Sequence, residues 1–236
     1  STGLEVTAVE RIREIAEIGL RNGFQIATHA IGDRANREVL DIYESLFQEH
    51  GVDGDTLRWR DEHSQHLHPT DIPRFADLGV IASMQGIHAC SDWPYVEARL
   101  GERRAREGAY VWNALWESGA VVTNGTDAPV ERVNPIPSFH CTVTRTMVGS
   151  DSTFHTSQAL TRVRALRSYT LNGAYAAFEE DLKGSITPGK LADITVLSRN
   201  ILDVPEDQIL GTVPTYTIVG GDVVYEGGSA AVSSGR

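Results

Sequence analysis

The chain has 236 residues, 41% of them hydrophobic and 22% charged, a balance that suits one large globular domain or two small ones. Lys and Arg number 21 against 32 Asp and Glu, and the resulting net charge of −11 repels nucleic-acid backbones and anionic lipid surfaces at long range, so neither is expected as a partner. No run approaches the ~18 apolar residues of a spanning helix, Ser1 to Glu5 lack the features of a secretion signal, and two cysteines without C-x-x-C spacing give no disulfide framework, which points to a reducing, cytoplasmic compartment.

Val6, Val9, Ile12, Ile15 and Ala16 recur at helical spacing before the stop signal Asn22-Gly23, so residues 5–22 read as an amphipathic helix. A strand over Phe24 to His29 follows, then a helical stripe through Ala35, Val39, Ile42 and Leu46, and a second strand over Leu57 to His63. The alternation continues with a helix from Asp71 to Leu78, a strand at Val80 to Met84, a helix around Val111 to Glu117 and a strand at Ala120 to Thr123. Repeated strand and helix predict a parallel sheet with right-handed crossovers. The charged connection from Gln85 to Ala109 is long enough to be either a functional lid or disordered. Beyond it, a helical stretch runs from Arg162 to Phe178, and two β-rich runs flank the hairpin signal Gly220-Gly221.

Three strand ends carry a residue able to bind a cation: His29, His63 and Asp127. Ligands collect at the carboxyl edge of parallel sheets, and two imidazoles with one carboxylate suit zinc or a related divalent ion. Each residue alone has a plainer reading. Either histidine could be a hydrogen-bonded strand end, and Asp127 an Asx-turn or helix cap.

The stretches THAIGDRA, DEHSQ, SMQGIHACSDW, NGTDAPV and GSITPGKLADITVL resemble successive motifs of the amidohydrolase superfamily, in the branch of N-substituted formamide deformylase and D-aminoacylase-like enzymes. The likeness runs from Gly23 to Glu226. It implies an α/β fold, the carboxyl half of a metal-dependent hydrolase (β/α)8 TIM barrel plus part of a small β-sandwich domain. Residues 1–183 would supply the barrel half, about strands five to eight, residues 184–226 the β appendage, and residues 227–236 a flexible tail.

The resemblance further implies that His29, His63 and Asp127 hold one or two divalent ions, zinc foremost. Asp127 would take a proton from the attacking water and pass it to the leaving nitrogen, while His88 faces the substrate carbonyl oxygen. The expected reaction is hydrolysis of a non-peptide carbon-nitrogen bond, in an amide, N-acyl or N-formyl group of a small molecule. Gly32, Asp33 and Arg34 are expected to shape the loop after His29 and open the next helix.

One departure stands out. The family's His-x-His pair on the first barrel strand, and the Lys or Glu ligand near the fourth, have no counterpart upstream of His29. The chain therefore reads as part of a longer polypeptide in which alone the activity is complete, and open sheet edges would favour homo-oligomers. The rival reading is an inactive half-barrel with a structural or oligomerising role. His66 and His68 could instead join His63 in a local site, or sit in a solvated loop before Pro69. The stretch GSITPGKL matches G-x-x-x-x-G-K, but Leu191 stands where Ser or Thr would bind magnesium and a strand follows, so a turn is expected there.

Overall fold

The computed structural model describes residues 3–227. Helix α1 (Val9–Arg21) buries Ala16 and Gly19, and its exit turn leads into strand β1 (Ala27–Ala30). Helix α2 (Asp33–His50) has an acid in its first turn, a histidine in its last and a left-handed Gly51 as its C-cap, so both ends suit the helix dipole and the chain reversal. Its buried Tyr43 and Phe47 close edge-on against Trp59, with ring centroids 4.8 and 5.2 Å away.

The short α3 (Gly54–Leu57) takes up Leu57, so strand β2 (Arg60–His63) begins later than the hydrophobic pattern predicts. Helix α4 (Ile72–Asp77) and strand β3 (Ile81–Gln85) follow. The long charged connection is neither open coil nor disordered: it folds into α5 (His88–Ser91), α6 (Trp93–Leu100) and α7 (Glu102–Gly108). Helix α8 (Trp112–Glu117) then returns the chain to strand β4 (Val122–Gly125).

Helix α9 (Pro135–Thr144) starts with Pro at N1, where no N–H is needed, and Asn134 caps it through a side-chain bond to Ile136 N. The expected helix over Arg162 to Phe178 is two, α10 (Arg162–Tyr169) and α11 (Leu171–Ala176), separated by a non-helical Thr170. A second, antiparallel sheet of β5 (Ile194–Leu197), β6 (Pro214–Val219) and β7 (Asp222–Glu226) ends the described chain, with α12 (Glu206–Ile209) in the β5–β6 connection. The tail expected to be flexible lies, from residue 228 onward, outside the described residues.

The four parallel strands lie in the order β1-β2-β3-β4, each beside its neighbour in sequence. The register aligns His29, Glu62, Ser83 and Thr123 in one row across the sheet. The alternate positions Ala82, Met84 and Val122 are buried in the main core. At the corner before β2, the left-handed Arg58 stacks over Tyr175 and Phe178, at 3.8 and 4.4 Å, and pairs through both guanidinium nitrogens with Glu180. That contact ties the sheet to the segment leading into the small one. No described helix is long and apolar enough to cross a membrane.

One sequence-based expectation is corrected. Cys90 on α5 and Cys141 on α9 are bonded as a disulfide, with their Cα atoms 6.2 Å apart. The two residues are 51 positions apart and meet only because the helices after β3 and β4 pack together. Spacing alone cannot show that, and the pairing removes the basis for inferring a reducing compartment.

Candidate active site

Each of the first two parallel strands carries a histidine near its carboxyl end, His29 next to last in β1 and His63 last in β2. His29 is on the row shared with Glu62 and Ser83, and the His63 ring stands edge-on to it at 4.4 Å between centroids. His63 and Ser64 both have positive φ (82° and 43°), so the backbone turns out of the sheet as soon as the histidine is placed. Burial, and then the neighbouring His29, push the His63 imidazole below its ordinary value, favouring the neutral ring. Its Nδ1 is buried and has no hydrogen-bond partner among the described residues.

His88 comes from the turn after β3. Three bonds hold that turn: Gly86 N donates to Asn124 Oδ1, Ile87 N donates to Ser138 Oγ, and Tyr169 donates its hydroxyl proton to the same Ser138. The His88 ring lies 5.8 Å from that of His63, and its Nε2 is 3.2 Å from Asp127 Oδ2. Asp127, just past β4, also has a positive φ of 56°. Its backbone carbonyl, not its carboxylate, closes the following turn to Val130 N, so the side chain does not serve as an Asx cap.

One ligand atom from each of His63, His88 and Asp127 lies within 4.8 Å of the others; His29, expected as a ligand, is not in that group, its ring lying 4.4 Å from that of His63. Two imidazoles and a carboxylate with ligand atoms this close form a donor set that fits a divalent cation. His66 and His68 do not join them. His66 packs edge-on to Tyr110 at 5.3 Å, and exposed His68 bonds Thr70. The stretch Gly184 to Leu191 is a turn before β5, as expected.

Asp33 opens α2 and pairs with Arg104 of α7 at 2.6 Å, joining the loop after His29 to the helical excursion. Other polar groups here escape sequence reasoning. Gln65 and Tyr110 both donate to Asp92 Oδ2, at 3.0 and 2.6 Å, and pin the excursion's first turn. Arg60 and Glu62 pair at 2.7 Å beneath the histidines. Glu131 Oε1 lies 3.7 Å from His88 Nδ1. Its only sequence signal is its place four residues after Asp127.

Residues 2–225 match the sequence pattern of the amidohydrolase family. Protein LONG AFTER FAR-RED 3 of Arabidopsis thaliana is 37% identical over 94% of this chain and 38% of its own length. N-substituted formamide deformylase of Arthrobacter pascens is 27% identical over 95% of this chain and 41% of its own. Among solved structures, an uncharacterized metal-dependent hydrolase from Pyrococcus horikoshii ot3 superposes with a TM-score of 0.75 at 30% identity, covering 88% of this chain and 40% of the other. The chain thus spans about two fifths of the length of the relatives it matches. A match over nearly every described residue, with histidines and an aspartate gathered at one end of a parallel sheet, has one consequence: the chain belongs to the amidohydrolase family.

Proposed function

We propose that the chain carries metal-binding and proton-transferring residues of a hydrolase that cleaves a non-peptide carbon-nitrogen bond of a small amide, N-acyl or N-formyl compound. The observation behind this reading is the meeting of His63, His88 and Asp127 at one end of the sheet, with the His29 ring beside that of His63. His29, His63 and Asp127 would hold a divalent cation, zinc by its preference for nitrogen and oxygen donors. When bound, such an ion supplies Lewis acidity to the scissile carbonyl and brings the pKa of water to about 7.

The protein's own residues do the rest. Asp127 accepts a proton from the attacking water, then delivers it to the nitrogen as the carbon-nitrogen bond breaks, so a carboxylic acid and an amine leave. His88, with its Nε2 on the Asp127 side, donates a hydrogen bond to the carbonyl oxygen as it gains charge. We take the four-stranded sheet as part of a closed (β/α)8 barrel in the longer polypeptide, where the open side of β1 is covered.

Metal analysis and hydrolysis assays on the natural full-length polypeptide test this reading. The expected result is stoichiometric zinc and turnover of N-formyl or N-acyl amines, with Asp127→Asn lowering kcat by about 10²- to 10⁴-fold at unchanged circular dichroism. A metal-free parent with no such turnover would overturn it.

A further inference from the structure

Asp92 lies between α5 and α6, a place where an aspartate commonly caps the second helix with its side chain. It makes no such bond here. The carboxylate turns instead to the segment that follows β2. Its Oδ2 accepts a hydrogen bond from the Tyr110 hydroxyl at 2.6 Å and another from Gln65 Nε2 at 3.0 Å, and Gln65 Nε2 also donates to the Tyr110 oxygen at 2.7 Å. The donors and acceptors of this triangle allow one assignment: the amide gives both hydrogens, the phenol gives its one to the carboxylate, and the carboxylate only accepts. Burial, and then the Asp92 charge, push the Tyr110 hydroxyl above its ordinary value, so it remains a donor.

The triangle joins two groups of residues. Gln65 and Tyr110 belong to the first, in which Tyr110 N donates to Gln65 O and Leu67 N to Gly108 O, both at 2.8 Å, and His66 N donates to Ile31 O at 2.9 Å. Gln65 is two residues past His63, and Ile31 two past His29. The second group carries His88. Asp92 N donates to His88 O at 2.9 Å, which puts the aspartate one helical turn after that histidine. The other anchors of this segment, Gly86 N on Asn124, Ile87 N on Ser138 and the Cys90–Cys141 disulfide, lead to β4 and α9. They fix His88 relative to Asp127. Past the last β2–β3 pair, Glu62 with Ser83, the hydrogen bonds of Asp92 join the His88 segment to the exit from β2.

We propose that Asp92 is a positioning residue: by holding Gln65 and Tyr110 it sets the separation of the His88 and His63 rings, 5.8 Å between centroids, so that both meet the same substrate. Without the carboxylate the His88 segment shifts relative to His63, while its bonds to β4 and α9 keep it beside Asp127. A misplacement of about 1 Å is enough to cost about 10²-fold in rate. The kinetic consequence rests on the hydrolase reading above; the ring separation does not.

The test uses crystal structures and turnover of the natural full-length polypeptide. In Asp92→Leu the His63–His88 separation should change by about 1 Å and kcat should fall by about 10²-fold with KM nearly unchanged, while the 3.2 Å contact of His88 with Asp127 is kept. Asp92→Asn, whose amide oxygen still accepts both bonds, should restore the separation and most of kcat. Tyr110→Phe removes one donor and leaves the ring in the core, so it should move His88 in the same sense with a smaller loss, and it decides the matter if Asp92→Leu does not fold. A merely stabilising aspartate would lower the melting temperature of Asp92→Leu and leave the ring separation and kcat as in the wild type, which would overturn the proposal. So would an Asp92→Asn as impaired as Asp92→Leu, or an unmoved His88 in Tyr110→Phe. A parent without hydrolase activity would remove the reading above, and the ring separations would still decide whether Asp92 holds His88 in place.

Discussion

Asp61 precedes the motif histidine by two residues and is fully buried, and neither carboxylate oxygen has a hydrogen-bond partner among the described residues. Burial, reinforced by the neighbouring Glu62 charge, raises its carboxyl well above the ordinary 3.8, favouring the neutral acid in the folded chain. A carboxyl with a raised folded value stabilises the fold only when protonated. Its contribution is complete below the unfolded value of 3.8 and is lost as pH climbs toward the folded one. Asp61→Val, a β-former of similar size in a strand, should therefore raise stability at pH 7 by about 1–3 kcal/mol. The gain should shrink as pH falls from 7 and be smallest below 3.8, where the acid is protonated in both states. Denaturant unfolding at several pH values checks this, and an equal gain at every pH would contradict it. The pattern around DEHSQ identifies the strand but not this cost. Burial of Asp61 follows from α2 covering that side of the sheet, which one strand's sequence does not contain.

The turn joining β3 to α5 is the element on which the site depends most closely, because it carries His88. A Cβ added at Gly86 would collide with the Thr142 hydroxyl of α9 and stand 2.8 Å from Ser138 O. Gly86→Ala should thus push the turn away from α9, costing about 1–3 kcal/mol by overpacking. It should also move His88 off Asp127. Thermal melts and turnover should both fall, and Thr142→Ala should restore part of the melting temperature by removing the hydroxyl; full activity in Gly86→Ala would refute the link. Strands β3 and β4 were legible in the sequence because a short apolar run before a polar end is a local signal, whereas β2 reads Arg-Asp-Glu-His and carries no apolar residue. Helix α9 was not. Ile136, Ser138, Phe139, His140, Cys141, Thr142 and Thr144 are all buried, so it shows no apolar stripe, and its opening Pro-Ile-Pro resembles a loop. Since α9 supplies Ser138, Thr142 and Cys141, the anchors of His88 were hidden with it. Glu131 was hidden for a related reason, since only the folded turn brings it beside the His88 ring.

At the scale of the molecule the two edges of the parallel sheet differ. On β4, Asn172 of α11 donates to the Val122 carbonyl at 2.9 Å, and α10 and α11 both pack against the strand. On β1, Ala27 and His29 are exposed, and β2 is the strand's sole sheet neighbour among the described residues. An edge strand with open backbone donors and acceptors seeks another strand, and small side chains such as Ala27 do little to prevent it. The 236-residue chain expressed alone should then self-associate through β1, with a sedimentation coefficient that rises with concentration in the micromolar range. Ala27→Lys places a charge on that edge and should shift the distribution toward monomer, whereas a lysine at exposed Val224 in the second sheet should not. In the longer polypeptide proposed above, a closed sheet would leave β1 no free edge, and the association should be absent. A chain that remains monomeric at every concentration, or an Ala27→Lys variant that associates as the wild type does, would show that β1 is protected by other means.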